Sequence, residues 1–210
     1  MWNMKQKNII EAPMGEKTVL LHTCCAPCSS AIIEAMLANG ITPVIYYCNP
    51  NIYPREEYEI RKVECTRYAQ SLGLEIVDAD YDHENWLEAV RGLEAEPERG
   101  GRCLQCFKLR LLRTAEYAAS RGIRVITSTL ASSRWKSLDQ IIEAGTWACS
   151  QVESRDSRLG VNTFPDKSLI YWGFNWKKGG LQERRLQIIK EYDFYNQLYC
   201  GCEFSMRKED

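Results

Sequence analysis

A short apolar run, Val19-Leu20-Leu21-His22, ends at two adjacent cysteines, Cys24 and Cys25, and Ala26-Pro27-Cys28-Ser29 follows at once. The run suits a buried strand. Pro27 suits the first turn of a helix, where a missing N–H leaves no bond unmade. The chain therefore puts three thiols into one strand-to-helix turn. Neighbouring cysteines rarely bridge each other, because a ring closed across one peptide bond is strained, so this pair is placed to hold something soft. A second pair, Cys103-Leu-Gln-Cys106, lies far downstream. Four thiolates from two segments suit an iron–sulfur cluster or a zinc ion.

The strand-then-helix order recurs along the chain. Ile32, Ile33, Met36 and Leu37 fall at helical spacing until Asn39-Gly40, and Pro43 to Cys48 is a second strand. A helix from Arg55 to about Leu72 puts Tyr58, Cys65, Tyr68, Ala69 and Leu72 on one face, and Glu75 to Ala79 is a third strand. Then come a helix from about Arg102 to Ser120, a strand at Val125-Ile126-Thr127 and a helix from Lys136 to Ala148. Such alternation predicts an α/β fold with a parallel sheet wrapped by helices. Ligands of such sheets bind beyond the carboxyl ends of the strands, which here carry Cys24, Cys48 with Asn49, Asp80-Tyr-Asp82, and Ser128 to Ser133. From Arg155 onward regularity fades into an aromatic and basic stretch, read as an irregular lid or annex over residues 155–210 of a single domain spanning 1–210.

The 210 residues suffice for one domain with a real core. No apolar run is long enough to cross a bilayer and no basic-then-apolar leader precedes Thr18, so the expected place is the cytoplasm, away from membranes. In that reducing compartment the ten cysteines should not form a disulfide framework, which leaves metal binding, redox chemistry and core filling. With a formal net charge of −1, contact with nucleic acid must rely on local basic patches. One candidate runs from Trp176 to Lys190, with five basic residues and one acidic, including Lys177, Lys178, Arg184 and Arg185. Its aromatic neighbours can stack on unpaired bases, although a solvated helix face has a similar composition.

The cysteines separate by context. Cys24 and Cys25 precede a helix amino terminus, where unpaired N–H groups favour thiolates. Cys25-Ala-Pro-Cys28 also has the form of a thioredoxin-like redox pair, a rival that gives no use to Cys24, Cys103 or Cys106. Cys103 and Cys106 follow Gly100-Gly101-Arg102 and share one helical face, and zinc is the alternative there. Cys65 and Cys149 fall on apolar helical faces and read as core. Cys48 stays open, and Cys200-Gly-Cys202 can ligate metal or form a strained, readily reduced disulfide. Asp82 can complete a metal shell, pass a proton, or simply be solvated. His22 and His83 receive no ligand role.

Several motifs occur in order: His22-Thr-Cys-Cys-Ala-Pro-Cys-Ser29, Asn49-Pro-Asn-Ile-Tyr-Pro54 with Glu57-Tyr58 and Arg61, Tyr81-Asp82, Glu96-Pro-Glu98 with Arg102-Cys-Leu-Gln-Cys106 and Arg110-Leu111, Thr127-Ser-Thr-Leu130, and Tyr199-Cys-Gly-Cys202. Together they resemble the QueH family of epoxyqueuosine reductases over most of the chain. The resemblance implies a HUP-like, Rossmann-like fold and a cobalamin-independent oxidoreductase that converts epoxyqueuosine to queuosine at the wobble position of transfer RNA. It also implies a [4Fe-4S] cluster with an additional mononuclear iron, held by Cys24, Cys25, Cys103, Cys106 and Asp82, with Cys28 ranked behind the other cysteines. Asp82, Cys200 and Cys202 are the expected catalytic residues. In that scheme Asp82 holds an iron acting as a Lewis acid on the epoxide, and Cys200 and Cys202 exchange electrons near the site. Asn49, Asn51, Tyr58, Arg61, Arg102, Ser133, Lys136, Lys177 and Lys178 are expected to bind substrate. The partners are the anticodon arm of transfer RNA and a separate electron donor.

The chain departs from the family pattern at Ser133-Arg-Trp-Lys136, where Ser-Pro often precedes an aromatic and a lysine, and at Asn196, where an arginine is usual. The alternatives are a zinc or thioredoxin-like redox protein and an ATP-using transfer-RNA thiolase. Against the latter, Cys-Cys-Ala-Pro-Cys-Ser stands where a Ser-Gly-Gly-x-Asp-Ser phosphate loop would follow the first strand.

Overall fold

The structure is a computed structural model and describes residues 9–159, 163–164, 168–197 and 199–206. Five strands, β1 (Thr18–Thr23), β2 (Thr42–Tyr47), β3 (Ile76–Asp78), β4 (Val125–Ser128) and β5 (Ile170–Tyr171), form one sheet in the order β3-β2-β1-β4-β5. Every adjacent pair is parallel, with Leu21 of β1 opposite Ile45 of β2 and Thr127 of β4. Six helices accompany them: α1 (Ala26–Ala38), α2 (Arg55–Ser71), α3 (His83–Ala89), α4 (Gly101–Ser120), α5 (Leu138–Arg158) and α6 (Leu181–Glu191). This is a Rossmann-like α/β architecture, and among the described residues no helix is long and apolar enough to cross a membrane.

Alternation along the central strands divides the core. Val19, Leu21, Ile45 and Tyr47 face one side, with Ile32, Ile33 and Met36 of α1, Tyr58 and Tyr68 of α2, and Ile188 of α6. Leu20, Tyr46 and Ile126 face the other, with Phe107 and Leu111 of α4 and Ile141 and Ala148 of α5. At about 1.5–3 kcal/mol for each large aliphatic side chain removed from water, these two layers fix which face each helix must cover. Pro27 occupies the first turn of α1, as its lack of an N–H allows.

The chain beyond residue 148 is more regular than its sequence suggests. Helix α5 continues to Arg158 because Cys149 and Val152 extend its buried face while the intervening residues are polar and exposed. Ile170 and Tyr171 add an edge strand beside β4, and α6 packs against α1. Tyr171 can approach α5 only because residue 145 is glycine: a Cβ there would stand 2.3 Å from the Tyr171 ring. Trp172 and Trp176 are 8 % and 0 % exposed, and Trp176 donates from Nε1 to Thr127 Oγ1 at 3.2 Å. These aromatics fill the core, which corrects the reading of them as a stacking surface. Strand order reverses at β1, so the carboxyl ends of β1 and β4 bound the crevice where open α/β sheets bind ligands.

Candidate active site

Three thiols converge in that crevice. The Sγ atoms of Cys24, Cys25 and Cys28 lie within 4.8 Å of one another, those of Cys24 and Cys25 being 3.9 Å apart. Cys25 is the N-cap of α1 and Cys28 lies in its first turn, so unpaired N–H groups face the sulfurs. Thr129, just beyond β4, accepts from the Cys24 N–H at 3.2 Å and donates to Cys24 Sγ at 3.4 Å. Gln197, from the far end of the chain, donates from Nε2 to Cys25 Sγ at 2.9 Å and reaches Cys28 Sγ at 3.7 Å.

The electrostatics of the three differ. Bonds from Cys25 and Cys28, aided by the Lys136 charge, hold Cys24 well below the usual thiol range in spite of burial. Burial and the neighbouring sulfurs push Cys25 well above it, and the bond to Cys24, with burial, raises Cys28 to about 12. Cys24 is thus the first of the three to lose its proton, and a soft cation would displace the protons of the others. Three convergent thiols at a helix amino terminus, with no carboxylate among them, fit three corners of an iron–sulfur cluster or a zinc ion.

The remaining cysteines of interest gather on the other side of the crevice. Cys103 lies in the first turn of α4 and Cys106 in the second; Cys103 Sγ accepts from the Arg99 N–H at 3.3 Å, and Cys106 packs with Cys202, Trp86 and Val90. Burial raises Cys103 and pushes Cys202 to about 12. Cys103, Cys200 and Cys202 line an open pocket together with Arg102, Trp135 and Lys136. All ten cysteines are free. Among the described residues, only Cys24, Cys25 and Cys28 bring three ligand atoms this close together. That group sets Cys28 beside Cys24 and Cys25, while Cys103 lines the adjoining pocket and Cys106 follows it on α4.

Two cations connect the thiol sets. Arg110 of α4, 1 % exposed, donates from Nε to Cys48 O at 3.2 Å, from Nη2 to Asn49 Oδ1, and from Nη1 to Cys106 Sγ at 3.8 Å. Asn49 in turn donates to Thr23 O at 2.9 Å, which fixes the end of β1 beside Cys24. Burial would lower the Lys136 ammonium, but Cys200, Cys24 and Cys28 outweigh it and hold the pKa above the usual lysine value. His22 is a satisfied core residue, with Nδ1 2.8 Å from Ser128 Oγ and Nε2 3.0 Å from Cys48 O. Burial and Arg110 lower its pKa to about 3.

Most of the other expected residues also bond within the protein. Arg61, paired with Glu57 at 2.6 Å, donates to Tyr199 O and Cys200 O at 3.4 and 3.3 Å, and the Tyr53 N–H donates to Gly201 O at 2.8 Å. Gly201 has φ +109°, and a Cβ there would stand 2.9 Å from Ile52 and 3.1 Å from Arg61 Nη1, so the loop between Cys200 and Cys202 needs glycine. Buried Asn51, whose Oδ1 finds no partner among the described residues, sits against the same loop, and Tyr58 donates to Asp78 Oδ1 at 2.7 Å. Asn49, Tyr58 and Arg61 therefore meet the site through the segments they hold. Arg102 fastens the loop before α4 through Glu94 O and Glu96 O, and Ser133 Oγ accepts from the Trp135 N–H at 3.2 Å. Lys177 donates to Lys136 O at 3.2 Å, and Lys178 is exposed.

Asp82 caps α3 and pairs with Arg113, with 42 % of its side chain exposed. Slight burial raises its carboxyl, but bonds from Arg113 and the Asn85 N–H hold it below the usual range. In the basic carboxyl segment, Arg184 pairs with Glu34 and Glu191 at 2.7 Å each, and Arg185 donates to Pro27 O at 2.8 Å. Arg110, Thr129 and Gln197 went unassigned in the sequence. Arg110 and Thr129 had signals there, both lying within the ordered motifs, and Arg110 is also a charge on the apolar face of α4 between Phe107 and Leu111.

Fold and site together define a Rossmann-like α/β protein with a thiol centre suited to a soft metal and a cation-lined pocket beside it. Residues 19–208 match the family model described as Epoxyqueuosine reductase QueH. The chain is 45 % identical over 198 residues to the epoxyqueuosine reductase QueH of Haemophilus influenzae, covering 94 % of this chain and 75 % of that one. It is 42 % identical over 198 residues to that of Acinetobacter baylyi, covering 94 % and 84 %, and 32 % identical over 193 residues to that of Thermotoga maritima, covering 90 % of each. The chain belongs to the epoxyqueuosine reductase QueH family, a family of oxidoreductases.

Proposed function

We propose that the protein carries out its family's reaction in the cytoplasm, reducing epoxyqueuosine to queuosine at the wobble position of transfer RNA, with a [4Fe-4S] cluster as its electron carrier. The observation that supports this most directly is the convergence of Cys24, Cys25 and Cys28 at the carboxyl end of the central strand, beside an open pocket. A bound cluster would supply electrons singly at low potential. The overall change removes the epoxide oxygen as water, leaves an alkene, and consumes two electrons and two protons.

The chain's own groups meet the remaining needs. Lys136 Nζ, kept charged by the thiolates, is available to neutralise and protonate the departing oxygen. Arg110 balances thiolate charge from below the pocket, and Gln197 closes the far side of Cys25 and Cys28. Cys200 and Cys202 stand at the pocket wall, suited to relay electrons from a separate donor. Asp82 is the carboxylate for a second, mononuclear iron in this scheme, and iron in excess of acid-labile sulfide is the measurement that decides whether it holds one.

The test is anaerobic purification with iron and sulfide analysis, then incubation with dithionite and epoxyqueuosine-containing transfer RNA, and mass spectrometry of the released nucleosides. The expected product is lighter by one oxygen. Replacing Cys24, Cys25, Cys103 or Cys106 by Ser should remove cluster and activity together, whereas Cys65→Ser and Cys149→Ser should lower stability alone. Stoichiometric zinc without sulfide would overturn the proposal, as would an iron–sulfur protein that leaves epoxyqueuosine unchanged.

A further inference from the structure

Trp135 stands apart from the other tryptophans among the described residues. It is 58 % exposed, whereas Trp86, Trp172 and Trp176 are buried and Trp147 is half-buried. Exposing a large indole forgoes the burial that usually stabilises it. The turn that carries it, between the 3₁₀ turn after β4 and helix α5, is nevertheless well fastened. Arg99 donates from Nε to Trp135 O at 3.0 Å and from Nη2 to Arg134 O at 2.8 Å, and Lys177 Nζ donates to Lys136 O at 3.2 Å. The Arg134 guanidinium lies 4.7 Å from the centre of the indole ring. A hydrogen-bonded backbone thus presents an aromatic surface at the rim of the pocket that contains Cys103, Cys200 and Lys136.

We propose that Trp135 is a stacking platform for a nucleotide next to the one being reduced, and that Arg134 and Arg99 hold the adjoining phosphates; this rests on the transfer-RNA reading above. A base entering the pocket must leave the stack of its neighbours. An exposed indole beside the entrance replaces that lost stacking, and the cations around it match a sugar–phosphate chain. Single-stranded RNA fits this combination better than a protein partner does. Arg99, Arg102 and Lys136 outnumber Glu98, the one acidic residue lining the pocket among the described residues, and an indole under a guanidinium is a common surface for an unpaired base. Trp135 is accordingly a positioning and specificity residue, not a participant in the chemistry.

The test uses the full-length protein and an anticodon stem-loop RNA carrying 2-aminopurine on either side of the wobble position. Stacking on Trp135 should quench the fluorophore at one of these positions, and Trp135→Ala should abolish that quenching and weaken stem-loop binding about tenfold. Trp135→Phe should restore most of the affinity. In turnover, Trp135→Ala should raise KM for the transfer RNA about tenfold with kcat little changed, at wild-type iron and sulfide content. Unaltered affinity and quenching in Trp135→Ala would overturn the inference. So would unaltered RNA affinity with slower turnover from a protein donor alone, which would give the surface to that donor. In the wild-type protein, absence of quenching at both positions under saturating RNA would overturn it without any variant. Quenching that depends on Trp135 in a protein that does not reduce epoxyqueuosine would keep the platform and sink the reductase reading.

Discussion

Replacing Arg110 by Met isolates what a buried cation does between two sets of thiols. The guanidinium serves a carbonyl, an amide oxygen and a thiol, and its opposing charges are the sulfurs of Cys106, Cys24 and Cys200. Its two bonds to oxygen are charge-assisted and contribute about 1.5–3 kcal/mol each. Met keeps most of the volume, removes the need to bury a charge, and leaves His22 on Cys48 O, so several kcal/mol return. The metal-free variant should therefore lose only about 1–3 kcal/mol. Metal loading changes the balance, because every ligand becomes a thiolate. A unit charge about 4 Å from another contributes about 4 kcal/mol at an effective dielectric constant near 20, and part of that is lost without Arg110. The loaded variant should lose a further ~2 kcal/mol, which by linkage means metal binding weaker by about 30-fold. Anaerobic urea unfolding of the metal-free protein, with cobalt(II) titration followed by thiolate charge-transfer absorbance, measures both quantities. Equal cobalt affinity in Arg110→Met and wild type would refute the argument that Arg110 is the counter-charge of the thiol centre.

Gly145→Ala should destabilise the fold by about 1–2 kcal/mol, the overpacking against the Tyr171 ring outweighing the ~1 kcal/mol that alanine adds to a helix. Adding Tyr171→Ala should recover part of the loss in a double-mutant cycle, and a raised Tm in the single variant would contradict the clash. The His22 imidazole titrates near 3 in the folded protein against 6.5 unfolded, so the unfolded chain takes up a proton that the fold refuses between those values. The metal-free protein should lose stability as pH falls through 6.5 toward 3, by up to ~1.4 kcal/mol per unit, and keep the full contribution above 6.5. His22→Gln should flatten that slope relative to wild type in denaturant titrations at each pH; identical slopes would place the loss in other groups.

The apolar runs at Val19, Val44 and Val125 were legible as strands because short β-rich stretches between turn signals have few other uses, and the parallel order followed from the helices between them. Helix α5 was cut short in the sequence because beyond Ala148 only Cys149 and Val152 mark its buried side. Strand β5 has two residues, too few to show alternation, and α3 has seven, too few for helical periodicity. The aromatics around Trp172 misled because composition does not distinguish rings that stack on a ligand from rings that pack tilted or edge-on against each other, as Trp172, Phe174 and Trp176 do. In the site, the grouping of Cys24 with Cys25 was local and readable. The nearness of Cys106 to Cys202, and of Gln197 to Cys25, is purely tertiary and had no sequence signal.

The cover that Gln197 places over Cys25 and Cys28 also sets an order of events. These partners lie 172 and 169 residues apart in the chain. A ribosome adding about 5–20 residues per second delivers the thiols roughly 10–30 s before the amide that caps them. During that interval Cys25 and Cys28 lack the Gln197 amide, which afterwards bonds to both sulfurs. Cluster insertion during synthesis and cluster repair in the finished protein therefore meet different surroundings, since only the second finds the Gln197 amide already bonded to the thiols.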